Sequence, residues 1–409
     1  MADSRCACAG LIEEDKVTLV KTPTHTELVQ RATDLVPLLR KHSRWSEENR
    51  RLHDDVIAGL EEAEFFKLRR PARLGGYESP ARTLVAVSTE LARGDAAVAW
   101  NAQVWWIPIW MVGLFPDHVQ DEVFATEHVR VCGTLSPSGM LTPVDGGYRV
   151  SGEWNFISGA LHSHWQELIA LAPTPDGGMQ PMLALVPIQD VRIVDDWKTS
   201  GLRGTGSVST VVDDVFVPAD RVLPLSAAMT LQHASAANAS SPVWKAPLNA
   251  VAAASTVGVL IGLARAAIEV FLDRLPGRRI TYSSYESMRE APITHLQLAK
   301  AVLKTDQAEF HARRVADLVD SKGASGEPWT MEERAQCRVD VSAACELTTE
   351  AVDVLSRAGG GSSIYDDVPV QKIARDIHAV GLHALVYPPT AYELYGRILS
   401  GLEPNTLYV

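Results

Sequence analysis

Basic residues are in the minority in this 409-residue chain: 38 Lys and Arg stand against 50 Asp and Glu, for a formal net charge of −12. Backbone phosphates demand clustered cations, so a nucleic-acid partner is excluded. Cysteines are few and odd in number: Cys6, Cys8, Cys132, Cys337 and Cys345 show no spacing suited to zinc. Reduced thiols are expected, and Cys6 and Cys8 read as incidental residues of a mobile tail. Uninterrupted apolar runs are missing. The two longest, residues 98–115 and 251–264, are broken by Asn101, Gln103 and Pro108 or by Ser255 and Thr256, so neither reads as a membrane span. The first residues, with Asp3, Arg5, Glu13, Glu14 and Asp15, lack a signal peptide's apolar segment, and a cytoplasmic protein is expected. No Gly-rich loop of the dinucleotide type follows a strand, so NADH binding by the chain itself is not expected. His162 and His164 stand two apart, but with Glu153 and Glu167 they make no recognised ligand set, and no metal is expected.

What is present is a packed globule's composition, 46% hydrophobic and 22% charged. Apolar residues recur at helical intervals through residues 25–66, resume at Leu84, Val85, Val87 and Leu91, and form an apolar helix over 96–115. Between about 129 and 224 the pattern changes to short β-rich runs at 129–132, 148–151, 168–172, 182–187 and 208–217, with turns at 145–147 and 175–178. After an Ala, Ser and Asn-rich connection at 233–241, long helical patterns return at 247–275, 292–319, 331–357 and 369–387. The expected architecture is mainly α with an inserted β domain: an N-terminal helical domain (1–125), a central β domain (126–235) and a C-terminal helical bundle (236–409). Small residues from Ala252 to Ala254, with Gly258 and Gly262, make the first bundle helix smooth enough for close packing, between subunits among other uses.

Three motifs sharpen this layout. The run from Gly146 through Trp154-Asn155-Phe156-Ile157-Ser158-Gly159 resembles the flavin-facing hairpin of the hydroxylase branch of the acyl-CoA dehydrogenase superfamily. Gly201-Leu202-Arg203-Gly204-Thr205-Gly206-Ser207, followed by residues 211–217 and Pro218, is similar to that family's second signature. Pro369 to Asp376, with His378 and His383 beyond, resembles its last bundle helix. Thus the chain resembles the oxygenase components of group D two-component flavin monooxygenases, which include para-hydroxyphenylacetate and steroid-ring hydroxylases. The fold this implies has an N-terminal helical domain, a central β-barrel and a C-terminal four-helix bundle. True dehydrogenases need a positioned glutamate to take an α-proton from a thioester. Here histidines follow Arg375-Asp376 instead, and the usual Thr-Glu-Pro stretch reads Leu135-Ser136-Pro137.

The resemblance implies reduced FMN or FAD delivered by a separate NAD(P)H:flavin reductase, O2 as co-substrate, a flavin C4a hydroperoxide, a small aromatic substrate and a homotetramer. It makes Ser158 the expected partner of flavin N5, with Trp154 and Phe156 walling the ring. Without the motif, a Ser before Gly is an ordinary turn residue. A histidine of near-neutral pKa suits removal of a phenol's proton, and His383, eight residues after Arg375, is the expected base. His378, about 140° away on one presumed helix, reads as structural. Of Trp100, Trp105, Trp106 and Trp110, the expectation favours Trp106 and Trp110 as the wall of an aromatic substrate site, the alternative being an aromatic helix core. Arg278 and Arg279 resemble the arginine lent to flavin phosphate across a subunit interface, with Arg279 favoured and Arg203 serving locally. Arg375 and Asp376 read as ion-pairing residues that orient the last helix. Nitrogen or sulfur oxygenation on the same scaffold, acyl-CoA dehydrogenation and a non-catalytic flavin-binding role are the alternatives.

Overall fold

The computed structural model describes residues 22–409, so the reading of Cys6 and Cys8 lies outside the described residues. Thr24 starts α1 (His25–Asn49) with a capping box: its hydroxyl accepts from the Glu27 N–H, and the Glu27 carboxylate accepts from the Thr24 N–H. The helices α2 (Asp54–Glu62), α3 (Ala81–Gly94) and α4 (Ala96–Val112) match the periodic stretches. The short α5 (Asp117–Val123) was not legible, because seven residues are too few to establish a period.

The strands β1 (Val131–Val144) and β2 (Gly147–Ile157) form a hairpin about the Asp145-Gly146 turn, and β3 (Trp165–Pro173) and β4 (Met179–Pro187) form a second. With β5 (Arg192–Val194), β6 (Val208–Pro218) and β7 (Val222–Pro224) they make one seven-stranded sheet, in the order β5-β6-β2-β1-β3-β4-β7. Its end strands do not pair with each other, so the barrel is an open one. Strands β5 and β7 escaped the sequence reading because three residues carry no alternation. Inside the sheet lies a separate apolar cluster around Trp154, Leu168, Ala184 and Val212.

The chain continues through α6 (Leu225–Thr230), α7 (Leu248–Asp273), α8 (Pro292–Ser325), α9 (Met331–Ala358), α10 (Pro369–Gly381) and α11 (Pro388–Leu399). The single helix expected over 369–387 is therefore shorter. It ends at Gly381, and the Pro388-Pro389 pair disfavours helical backbone in the residue before it and opens α11 instead. His383 accordingly sits in the connecting turn, and its angle to His378 on a helical wheel loses meaning.

By length and hydropathy, mean 1.8 over its most apolar window, α7 could cross a membrane, but 89% of that window is buried inside the fold. It is the central core helix. A Cβ on Gly258 would come within 2.5 Å of the Val85 carbonyl oxygen, and one on Gly262 within 2.3 Å of that of Thr89. The smooth face of α7 is thus occupied by α3 of the same chain and not, as the alternative between subunits supposed, by another copy.

Candidate active site

Strand register brings the first two site residues together. In the antiparallel β2–β6 pair, Ile157 lies opposite Val208, so Ser158, one residue beyond β2, meets Ser207, one residue before β6. Their hydroxyl oxygens are 2.6 Å apart. Ser207 is in turn 2.7 Å from the hydroxyl of Thr205, which donates to the Leu202 carbonyl at 2.8 Å. Gly159 follows Ser158 at φ 74°, and a Cβ there would overlap the Trp105 indole.

From the helical side, α4 supplies Trp100. Its indole Nε1–H donates to the Ser158 hydroxyl at 3.0 Å, and its ring lies edge-on to His383, centroids 5.2 Å apart. Trp100 therefore joins the end of β2 to the histidine turn. On α4 the partly exposed positions Val104 and Ile107 follow Trp100 at i+4 and i+7, so the three share one face.

Two of the expected tryptophans do not face this place. Trp106 is fully buried and donates to the Phe65 carbonyl at 2.8 Å; Trp110 is fully buried and donates to the Val243 carbonyl at 2.9 Å. Both are core residues of the helical region, the alternative that the sequence left open. Trp154 is also corrected: it points into the sheet interior, where its Nε1–H donates to Ile169 O at 2.8 Å. Alternation along β2 predicts that inward direction. Phe156 behaves differently. A register irregularity between Trp154 and Ile157 puts it at φ 64° with its side chain 70% exposed, edge-on to Trp197 at 6.0 Å.

His383 lies where the chain leaves α10. Its Nδ1 accepts from the Leu385 N–H at 3.3 Å, which leaves the ring hydrogen of the neutral form on Nε2. The residue keeps access to solvent on one side, yet the protein packed around the imidazole lowers its pKa to about 4 by desolvation. Arg338 fixes the turn by donating to the Ala384 carbonyl at 3.4 Å and to that of Tyr408 at 2.8 Å; the Tyr408 hydroxyl donates to Leu135 O at 2.6 Å. His378 pairs with Asp353 at 2.9 Å on the outside of the bundle.

Beneath the site a buried charge cluster ties three elements together. Lys372 of α10 donates to Asp376 at 2.7 Å and lies 3.3 Å from Asp95. Asp376 accepts from the Leu202 N–H at 2.7 Å, and Asp95 caps α4 by accepting from the Ala97 N–H at 2.7 Å. Burial raises the Asp376 carboxyl against the pull of Lys372. Burial would lower Lys372, but Asp376 and Asp95 hold it above its usual value. Arg375 pairs with Glu47 at 2.5 Å.

Arg203 reaches only the Glu47 carbonyl, at 3.4 Å, in a hollow shared with Arg44, Arg375 and Asp366. Arg278 is occupied by the Gly359 carbonyl and the Ser362 hydroxyl. Arg279 is exposed and makes no hydrogen bond or ion pair among the described residues. A larger hollow of about 530 Å³ lies beside Ser151, Asp190 and Arg192, and none of Trp100, Ser158 or His383 lines it.

A flavin fits these residues. Phe156 and Trp197 offer uncovered aromatic surface to a flat ring, the Ser158 hydroxyl keeps bonding capacity beyond its two protein partners, and Arg279 is free for a phosphate. The residues the sequence reading missed are Trp100's role, Ser207 and Thr205. The 4,3 spacing with Val104 and Ile107 signals the first, and the β2–β6 register signals the other two.

One lowered histidine sets an acid limit. Burial, with Arg51 and Arg130 nearby, lowers His162 to about 4. An unfolded histidine titrates near pH ~6.5, so between about pH 6.5 and 4 the unfolded chain binds more protons. Stability is fully present above that window and declines as pH falls through it. Urea midpoints should drop from about pH 7 to about pH 4.5, and His162→Gln should flatten the decline. A variant as acid-sensitive as the native chain would contradict the assignment.

Residues 254–388 match the family described as acyl-CoA dehydrogenase, C-terminal domain. The chain is 30% identical to the flavin-dependent monooxygenase oxygenase subunit HsaA of Rhodococcus jostii, over 91% of this chain and 98% of that protein. It is also 30% identical to the oxygenase component of an FADH2-dependent resorcinol hydroxylase of Rhizobium, over 95% and 97%. The solved 3-HSA hydroxylase from Rhodococcus superposes with a TM-score of 0.87 at 29% identity, covering 94% of this chain and all of that one. XiaF from Streptomyces, solved with FADH2 and glycerol, gives 0.87 at 28%, covering 93% of this chain and 97% of that one. With a site that suits a flavin and histidines where a dehydrogenase needs a glutamate, the chain belongs to the oxygenase components of the flavin-dependent monooxygenases, built on the acyl-CoA dehydrogenase fold.

Proposed function

We propose that this oxygenase hydroxylates a phenolic or polycyclic aromatic ring in the cytoplasm, using flavin reduced by a separate NAD(P)H:flavin reductase. The observation that carries the reading is Trp100, which bonds Ser158 on one side and packs against His383 on the other. Two ends of a reaction site, one for flavin and one for substrate, meet across a single side chain. The names of relatives, a resorcinol hydroxylase and a p-hydroxyphenylacetate 3-hydroxylase among them, support a phenolic substrate.

When bound, reduced FMN or FAD would supply the two electrons with which one atom of dioxygen goes to carbon and the other leaves as water. Ser158 would hold flavin N5, Phe156 would cover the ring and Arg279 would take the phosphate of a neighbouring subunit's flavin. Trp100, Val104 and Ile107 bound the substrate ring on the α4 side. His383 meets the substrate oxygen. With the Leu385 N–H on Nδ1, it meets that oxygen as a donor through Nε2–H that orients the ring, in place of the base role expected from sequence alone. A homotetramer is supported by a stripe on α8, where Leu296, Leu303 and Phe310 lie seven residues apart and are 73%, 61% and 56% exposed.

Incubation with chemically reduced flavin, isotopically labelled dioxygen and a panel of phenols tests the reading. One labelled oxygen atom is expected in a ring-hydroxylated product. Consumption of an acyl-CoA, with every phenol left untouched, would overturn it.

A further inference from the structure

Where α1 passes into α2, the chain gathers three side chains that can each hold a metal ion. His42 comes from the buried face of α1, His53 caps the N-terminus of α2, and Asp55 lies in the first turn of α2. One donor atom of each lies within 4.8 Å of the other two. His42 Nε2 is 3.2 Å from Asp55 Oδ2, and His53 Nδ1 is 3.8 Å from the same oxygen. Zinc bonds nitrogen and oxygen at about 2.0–2.2 Å, so ligands around a tetrahedral ion stand roughly 3.3–3.6 Å apart. The two observed spacings bracket that value. His42 supplies a second observation. It is 8% exposed, and its Nε2, though within ion-pair reach of Asp55, has no hydrogen-bond partner among the described residues. A buried nitrogen left in that state costs stability unless something meets it. The two imidazoles are stacked, centroids 4.0 Å apart and planes tilted by 31°, and the His53 ring is steadied by Trp45 edge-on to it. The spacing along the sequence gives no sign of this pairing, because a helix end and a turn lie between the two histidines.

We propose that His42, His53 and Asp55 form a zinc site that clips the end of α1 to the start of α2, with water in the fourth position. Two imidazoles and one carboxylate suit zinc better than magnesium or calcium, which take oxygen ligands. None of the three belongs to the reaction site, and the ion takes no part in oxygen transfer. It takes the His53 lone pair that otherwise accepts from the Asp55 N–H at 3.0 Å. That N–H is left to solvent at an exposed residue, so α2 exchanges one neutral hydrogen bond for a metal bond. The clip backs onto the loop that carries Ser207: the Cα of Gly204 packs against Ser46, and Arg203 donates to the Glu47 carbonyl.

The full chain, stripped of metal with EDTA, is titrated by calorimetry with zinc, magnesium and calcium chlorides. One zinc per chain is expected, with no uptake of magnesium or calcium. Asp55→Ala changes an exposed position, and His53→Asn keeps a helix-capping acceptor while removing the imidazole. Each should weaken zinc binding about tenfold or more, since loss of a group that merely supports a ligand already costs about 10–100-fold. His42→Gln should do the same, with its urea transition in the absence of metal showing that it folds. Zinc should also raise the urea midpoint of the native chain and leave those of the three variants where they were, because only the native fold holds the three groups together. A native chain that takes no zinc overturns the site. Zinc uptake of native affinity in both Asp55→Ala and His53→Asn overturns it as well, by assigning the ion to other histidines.

Discussion

Replacing Lys372 with methionine is expected to destabilise the protein by about 3–5 kcal/mol, the usual cost of leaving a buried charge without its partner. The ammonium sits between Asp376 and Asp95, both nearly devoid of solvent, and its loss leaves two carboxylates facing a hydrocarbon chain. Adding Asp376→Asn should recover part of the loss, because the amide oxygen still accepts from the Leu202 N–H while one negative charge is gone. Urea unfolding of both variants checks this. A single variant within ~1 kcal/mol of the native protein would mean that the cluster carries no net charge to be balanced. The same change should misplace the site, since Asp95 caps the helix of Trp100 and Asp376 holds the loop of Thr205 and Ser207.

The second large effect is chemical. His383→Ala should lower the rate of product formation about 10²-fold, the usual cost of a misplaced substrate. Reduced flavin should still be consumed, with the missing product replaced by hydrogen peroxide. His383→Asn distinguishes donor from base. An asparagine can give a hydrogen but cannot hold a proton, so activity well above that of the alanine variant supports the donor role, and equal loss in both supports proton removal. With the ring lowered to about 4, product yield should also show no inflection near pH ~6.5.

Long periodic elements were legible in the sequence because burial of one helix face or one strand face leaves a repeating mark. The hairpins at Asp145-Gly146-Gly147 and around Gly177 were legible for the same local reason. The site was legible as a set of motifs and less so as a set of directions. Ser158 and His383 came from motif likeness, but Trp154 points inward because strand alternation sends it there, two residues before the irregularity that turns Phe156 outward. Trp106 and Trp110 were favoured over Trp100 because tryptophans on one apolar helix look alike until partly covered neighbours such as Val104 and Ile107 reveal the working face. Lys372 as the partner of Asp376, and Ser207 as the partner of Ser158, are contacts that only strand register and helix packing create.

Arg338 gives the last residues of the chain a hold on the chemistry. Its guanidinium grips the carbonyl of Tyr408 and that of Ala384, next to His383, while the Tyr408 hydroxyl is pinned to Leu135 at the head of the sheet. A polar change at Tyr408 would therefore reach the histidine with no shared pocket between them, as slack in a guy rope tilts the pole.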